Sequence, residues 1–199
     1  MPSLQRALTK KQPKLRLDDE VRFIASWLQH PLKVGAVSPS GRALARAVAS
    51  EIDPSIPGPV VELGPGTGPV TEALIERGVT PERLVLVEYD AEFCTLLRRR
   101  FPGATVVEGD AYALGETLTG IVKEPLAAVV SCLPLMTRPL NARVRLLNAA
   151  MRLLRRGAPY VQFTYAVTAP IPSRRYRVTS SPRIWLNIPP ARVWVYRAD

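Results

Sequence analysis

Glu62 stands two residues ahead of Gly64, and Gly64, Gly66 and Gly68 then recur at every second position of Val60-Val61-Glu62-Leu63-Gly64-Pro65-Gly66-Thr67-Gly68. Glycine carries no Cβ, so it lets the backbone turn sharply and approach a ligand closely. An apolar run that passes through such a turn into a helical pattern makes a site for a nucleotide-like ligand at the helix N-terminus. The spacing belongs to neither familiar phosphate loop. The dinucleotide fingerprint places its third glycine one residue later, and the triphosphate loop ends in Gly-Lys-Ser/Thr. An acid at position 62 would repel pyrophosphate and suit a cation. Glu62, Gly64, Gly66, Thr67 and Gly68 therefore frame a pocket for a nucleoside-like ligand that carries positive charge. A glycine-rich structural turn is the plainer alternative.

Acidic residues recur downstream in matching places. Leu84-Val85-Leu86-Val87 is a continuous apolar run, as expected of a strand covered on both faces, and it ends in Glu88-Tyr89-Asp90. Glu88 lies about 20 residues past the glycine turn, where an acid at a strand end can bind both ribose hydroxyls, with Tyr89 beside it. Ala104 to Glu108 reads as a third strand, followed by Gly109-Asp110-Ala111. Asp110 is placed to accept from an adenine amino group, and the Ala111 amide to donate to a ring nitrogen. Glu62, Glu88 and Asp110 thus mark the ends of three successive strands. The E-x-G-x-G-x-G pattern resembles motif I of the class I S-adenosylmethionine-dependent methyltransferases. That resemblance implies an α/β fold: a Rossmann-like, seven-stranded, mostly parallel sheet with helices on both faces, plus N-terminal helices. It also implies S-adenosylmethionine as cofactor and S-adenosylhomocysteine as product.

The elements that must position these residues are legible in the hydrophobic periodicity. Helices are expected over 18–29, with Asp18, Asp19 and Glu20 in the first turn, and over 41–50, 69–77, 91–100 and 141–155. Gly78 and Gly157 are placed to stop two of them. Strands are expected over 126–130 and 160–167. Two more, 183–188 and 192–196, joined at Pro189-Pro190, should close the sheet antiparallel. In the methyltransferases this chain resembles, the segment just ahead of motif I folds over the cofactor, so the resemblance places Val37, Ser38 and Ser40 at the cofactor or substrate entrance; an ordinary helix cap is the alternative. No internal repeat or second domain is present. The division expected is a basic arm, 1–17, and a methyltransferase domain, 18–199.

Composition bounds the partners. With 47% apolar residues the chain can bury a sizeable core, yet it holds no apolar run long enough to cross a bilayer. No signal peptide is evident. Cys94 and Cys132 lack metal-ligand spacing and His30 is the sole histidine, so no metal site is expected. His30 itself reads as a surface histidine at a helix end. Lys and Arg number 27 against 17 Asp and Glu, a net charge of +10, which implies an anionic partner, nucleic acid or membrane. Residues 1–17 carry Arg6, Lys10, Lys11, Lys14 and Arg16 and no acid, with Leu4, Ala7 and Leu8 on one side of a short helix ended by Pro13. A helix spanning about 13 Å can lie on a bilayer but cannot cross it. Near an anionic surface each base contributes roughly 1 kcal/mol, and the apolar strip adds anchoring. A solubilising arm is the alternative.

The loop after the fourth strand reports on substrate. RNA and DNA amino-methyltransferases carry Asn/Asp-Pro-Pro-Tyr or Asn-Leu-Pro-Tyr there, with an aromatic ring that stacks on the base. Here the segment reads Ser131-Cys132-Leu133-Pro134-Leu135, so base stacking is lost. Together with the basic arm, Val34-Gly35-Ala36-Val37-Ser38-Pro39-Ser40, Val-Glu-Tyr-Asp and Gly-Asp-Ala, this loop makes the chain resemble the bacterial phospholipid N-methyltransferases over nearly its whole length. That resemblance implies a peripheral enzyme on the inner face of the cytoplasmic membrane. It would convert phosphatidylethanolamine stepwise to phosphatidylcholine, with a membrane phospholipid rather than nucleic acid as substrate. Ser131 is placed at both cofactor and reacting centre. Tyr165, Glu62 and His30 are candidates to receive the amine's proton, and Lys33, Arg174, Arg175 and Tyr176 to hold the lipid phosphate, on the cofactor edge of the sheet. RNA adenine N-methylation is the alternative activity. A non-catalytic lipid- or RNA-binding module is the third reading.

Overall fold

The computed structural model describes residues 39–187 and 189–198; the basic arm, the 18–29 helix, His30, Lys33, Val37 and Ser38 lie outside the described residues. One seven-stranded sheet organises the rest, in the order β3-β2-β1-β4-β5-β7-β6. Its strands are β1 (Val60–Leu63), β2 (Leu84–Glu88), β3 (Thr105–Glu108), β4 (Ala128–Ser131), β5 (Tyr160–Thr164), β6 (Arg177–Ser180) and β7 (Arg192–Arg197). The first five pair parallel, and β7 runs antiparallel to both β5 and β6. The helices are α1 (Pro39–Ala49), α2 (Pro69–Glu76), α3 (Ala91–Arg100), α4 (Leu114–Thr117) and α5 (Leu140–Leu153).

Alternation along the strands divides the core into two layers. Val60, Leu84, Leu86 and Val130 pack with Leu44 and Val48 of α1, Leu74 of α2 and Leu97 of α3. Their sequence neighbours Val61, Val85, Val87 and Val129 point the other way, onto Leu114 of α4 and Leu146 and Leu147 of α5. A strand covered on both faces needs apolar residues throughout, and each buried aliphatic side chain contributes roughly 1.5–3 kcal/mol. The two edge strands β3 and β6 are correspondingly more exposed.

Helix ends follow local chemistry. The Asp90 side chain caps α3 by accepting from the amides of Glu92 and Phe93. Beyond α2, Gly78 takes a left-handed φ of 109°, and the Val79 amide returns to the Leu74 carbonyl. Among the described residues no helix is long and apolar enough to cross a membrane.

The strand boundaries and one site placement are corrected. The sixth strand is Arg177–Ser180, not 183–188. Residues 181–191 instead form the β6–β7 connection, where Ile184 and Ala191 make an isolated bridge. Pro182, Pro189 and Pro190 lack ladder donors, and Asn187 donates its amide group to the Pro189 carbonyl, which curls the apolar run into a turn. The fifth strand stops at Thr164 rather than 167. The second correction concerns Arg174, Arg175 and Tyr176. Arg177 pairs with Arg197, the far end of β7, while Tyr196 pairs with Tyr160, the first residue of β5. The cluster therefore sits at the amino edge of the parallel strands, opposite the edge expected for it.

Candidate active site

The glycine turn leaves β1 at the carboxyl edge and enters α2, with Gly64, Gly66 and Gly68 at φ values of 67°, 58° and 84°. Left-handed backbone of this kind favours glycine, but the three do different work. A Cβ on Gly64 would lie 2.8 Å from Leu133 Cδ2, and one on Gly68 would lie 2.4 Å from the Phe101 ring. Those two glycines let the turn pack. A Cβ on Gly66 meets nothing within 4 Å, so its bare backbone faces open space. Gly66 is where a ligand can lie against the main chain.

Glu88 ties this turn to β2. Its Oε2 accepts from the Gly66 amide at 3.0 Å, while its Oε1 accepts from the amides of Tyr89 and Asp90 at 2.8 and 3.1 Å. Tyr89 stands 80% exposed on the same rim. Asp110 accepts from the Tyr112 amide at 2.8 Å through Oδ1 and is exposed, and the next residue, Ala111, is buried. The structure thus brings Gly66, Glu88, Tyr89 and Asp110 to one rim, since β1, β2 and β3 run parallel.

Glu62 takes a different place. It is fully buried beneath the turn, where its Oε2 accepts from Thr71 Oγ1 at 2.6 Å and its Oε1 from Cys132 Sγ at 3.6 Å. Burial pushes its carboxyl from the ordinary 4.5 up to about 7, against the two hydrogen bonds that lower it and with a further push from Glu88. The Cys132 thiol is held well above its usual range by burial and by Glu62 itself. Cys132 is therefore a neutral donor to a carboxyl group rather than inert filling.

Ser131 ends β4, fully buried, and its Oγ has no hydrogen-bond partner among the described residues. By strand alternation it faces the α4–α5 layer with Val129, whereas Tyr165 packs with Phe163 on the α1–α3 layer, ring edge to face at 6.0 Å. The structure does not bring these two together. In the loop beyond Ser131, the Leu133 carbonyl accepts from Gln162 Nε2 at 3.1 Å and from the Leu135 amide at 2.8 Å. Gln162 Oε1 is buried and has no hydrogen-bond partner among the described residues.

Arg175 and Tyr176 line a separate cavity of about 290 Å³ with Asn148, Met151 and Arg152. There the Tyr176 hydroxyl donates to Asn148 Oδ1 at 2.8 Å.

Sequence reasoning passed over Thr71, Arg100, Cys132 and Gln162. Arg100 donates to the Thr67 carbonyl and pairs with Glu72 at 3.2 Å, clamping the turn from α3. An arginine in the last turn of a helix already suits the helix dipole, so the sequence does not mark this clamp. Gln162 carried a usable signal, a lone polar residue inside an apolar strand. Among the described residues no cluster of His, Cys, Asp or Glu could hold a metal ion.

The bare Gly66 backbone, the rim carboxylates of Glu88 and Asp110, and the buried Glu62 below fit a nucleoside with a cationic side arm. Comparisons with known proteins point the same way. The signature of the family described as methyltransferase domain matches residues 60–157. An ornithine lipid N-methyltransferase of Singulisphaera acidiphila is 30% identical over 151 residues, covering 74% of this chain and 79% of that protein. A ribosomal RNA small subunit methyltransferase A of Synechococcus is 41% identical over 92 residues, 45% of this chain and only 29% of that protein. In fold, the chain is similar to the N-methyltransferase NodS of Bradyrhizobium japonicum, solved with S-adenosylhomocysteine: TM-score 0.62, 11% identity, covering 89% of this chain and 97% of that one.

Proposed function

This chain belongs to the class I S-adenosylmethionine-dependent methyltransferases, and we propose from that premise that it methylates the primary amine of a membrane aminophospholipid, phosphatidylethanolamine, stepwise toward phosphatidylcholine. The observation that carries the reading is the 131–135 loop. It lacks an aromatic residue to stack on a base, and its Leu133 carbonyl is already engaged twice by protein donors. A relative that matches over most of its own length acts on an ornithine lipid, which supports a lipid amine. The ribosomal RNA relative matches over only 45% of this chain and 29% of its own length.

When bound, the cofactor supplies an electrophilic methyl group; the protein supplies alignment and dryness. Glu88 would hold the ribose hydroxyls and Asp110 the adenine amino group. Gly66 lets the cofactor lie against the main chain, and Ser38 remains a proposed contact from the segment ahead of the turn. Glu62, fully buried, acts on charge from below rather than as a base at the surface. A primary amine with a pKa of about 10.4 is neutral in only about one molecule in 10³ at pH 7, a penalty of about 4–5 kcal/mol. A dry site lowers that pKa. Tyr165 and His30 remain candidates to take the proton, and Lys33 to hold the lipid phosphate. The 1–17 arm would hold the enzyme on the inner face of the cytoplasmic membrane.

Radiolabelled S-adenosylmethionine mixed with phosphatidylethanolamine vesicles or with ribosomal RNA tests the reading. Label is expected in the lipid; label in RNA alone would overturn it.

A further inference from the structure

Two patterns distinguish the surface of the folded domain. Between Pro125 and Ala198 the chain holds twelve arginines and no acidic residue. Of the seven large apolar side chains exposed among the described residues, five gather at the carboxyl edge, whereas Ile56 and Ile121 lie ahead of β1 and β4. Tyr89 follows the last residue of β2, Val167 lies just past β5, and Leu140 opens α5 after the β4 loop, at 80%, 69% and 47% exposure. Trp185 and Leu186, 71% and 78% exposed, lie in the β6–β7 connection. That connection is at the same edge, because Arg192 pairs with Thr164 at the end of β5 and Ser180 pairs with Trp194.

We propose that the β6–β7 connection, with Trp185 and Leu186 at its tip, is a membrane-contact element that seats the carboxyl edge of the sheet on an anionic bilayer. The proposal rests on the aminophospholipid reading above and adds a contact surface inside the folded domain, distinct from the 1–17 arm. The tip is held outward by its own hydrogen bonds: the Asn187 amide returns to the Ile184 carbonyl at 3.2 Å, and the Asn187 side chain binds the Pro189 carbonyl at 2.7 Å. The Arg183 guanidinium lies 5.9 Å from the Trp185 ring centre, which places a cation beside an indole, a pair suited to the phosphate level of a bilayer. Leu186, Val167 and Leu140 decide the occupant. Aliphatic side chains offer no stacking face to a nucleobase but partition into acyl chains, while Arg138, Arg183 and Arg192, which lie at this edge, match anionic head groups. Docked this way, the glycine turn and the 131–135 loop face the lipid.

The test uses the full chain and the double variant Trp185→Ser/Leu186→Ser, with thermal melting as the fold control. The wild type is expected to sediment with vesicles of mixed phosphatidylcholine and phosphatidylglycerol. The variant should partition about tenfold more weakly and methylate vesicle lipid more slowly, yet methylate a dispersed short-chain phosphatidylethanolamine normally. Equal sedimentation of the two proteins overturns the proposal, as does a variant that loses binding to single-stranded polyuridylate while keeping its vesicle binding. Should the variant not fold, the Trp27→Phe chain gives a second readout. Its fluorescence is expected to be quenched by lipids brominated on the acyl chains, and a Trp27→Phe/Trp185→Phe control should lose that quenching; absence of quenching refutes the contact. If the aminophospholipid reading itself fails, the wild type labels neither short-chain nor vesicle lipid. If only the docking fails, both proteins label vesicle lipid alike.

Discussion

Replacing Glu62 by Gln isolates the charge beneath the glycine turn. Gln keeps the size of the side chain and an oxygen to accept from Thr71, but it cannot ionise. In the folded protein the Glu62 carboxyl is raised from 4.5 to about 7, chiefly by burial. At about 1.4 kcal/mol per pH unit, that shift corresponds to roughly 3 kcal/mol of penalty once the group is ionised. The sign follows from proton linkage. Between 4.5 and 7 the folded state binds more protons at this group than the unfolded state, so its contribution is intact below 4.5 and is lost as pH rises through 7. Glu62→Gln should therefore match the wild type near pH 4.5 and exceed it by up to about 3 kcal/mol at pH 8. For a domain of this size that is roughly 6–12 °C in Tm. Cofactor binding should move the other way, weakening by about tenfold or more if the carboxylate offsets the cofactor's positive charge. Thermal melts across pH 4.5–8 and calorimetric titration with S-adenosylmethionine check both. A stability gain of equal size at pH 5 and pH 8 would refute the burial argument. Unchanged cofactor affinity would leave Glu62 a purely structural group.

Two further substitutions separate fold from site. Gly68→Ala drives a Cβ into the Phe101 ring at a φ of 84° and should destabilise by about 3 kcal/mol or more. Gly66→Ala meets no protein atom within 4 Å; it should lose about 1–2 kcal/mol from backbone strain alone yet abolish S-adenosylhomocysteine binding by calorimetry. Arg174→Ala/Arg175→Ala, at the amino edge, should leave KM for dispersed phosphatidylethanolamine unchanged; a rise of about tenfold would return those arginines to the substrate site.

The chain showed its site most clearly where chemistry is local. A glycine spacing, an acid at a strand end and a capping Asp each act within a few residues, so the strand-end positions of Glu88 and Asp110 were legible before any topology. Thr71 and Cys132 were not, because their partner Glu62 lies 9 and 70 positions away, and only the crossing of α2 and the β4 loop brings them together. The misplaced arginines have a related cause. Arg174 and Arg175 follow β5, so a short crossover would leave them at its carboxyl edge. The chain instead travels down the α5 side, where the Ile171 amide donates to the Tyr196 hydroxyl and Tyr176 binds Asn148, before β6 starts upward. Apolar pattern alone does not record that descent, and it read 183–188 as the strand that 177–180 forms.

Moving the arginines changes how the charge must be understood. The acids proposed to serve the cofactor, Glu62, Glu88 and Asp110, belong to β1–β3 and their following turns, whereas the stretch from β4 to β7 carries twelve arginines without an acid among them. The strand order puts these two groups on opposite halves of one sheet. A cationic cofactor and an anionic lipid surface can then be engaged side by side, without either charge set lying over the other. Had Arg174 and Arg175 sat at the glycine turn, they would have added to the positive charge that Glu62 is proposed to offset. The sheet's descent after β5 removes that conflict, leaving Trp185, Leu186 and Arg183 to represent the basic half at the carboxyl edge.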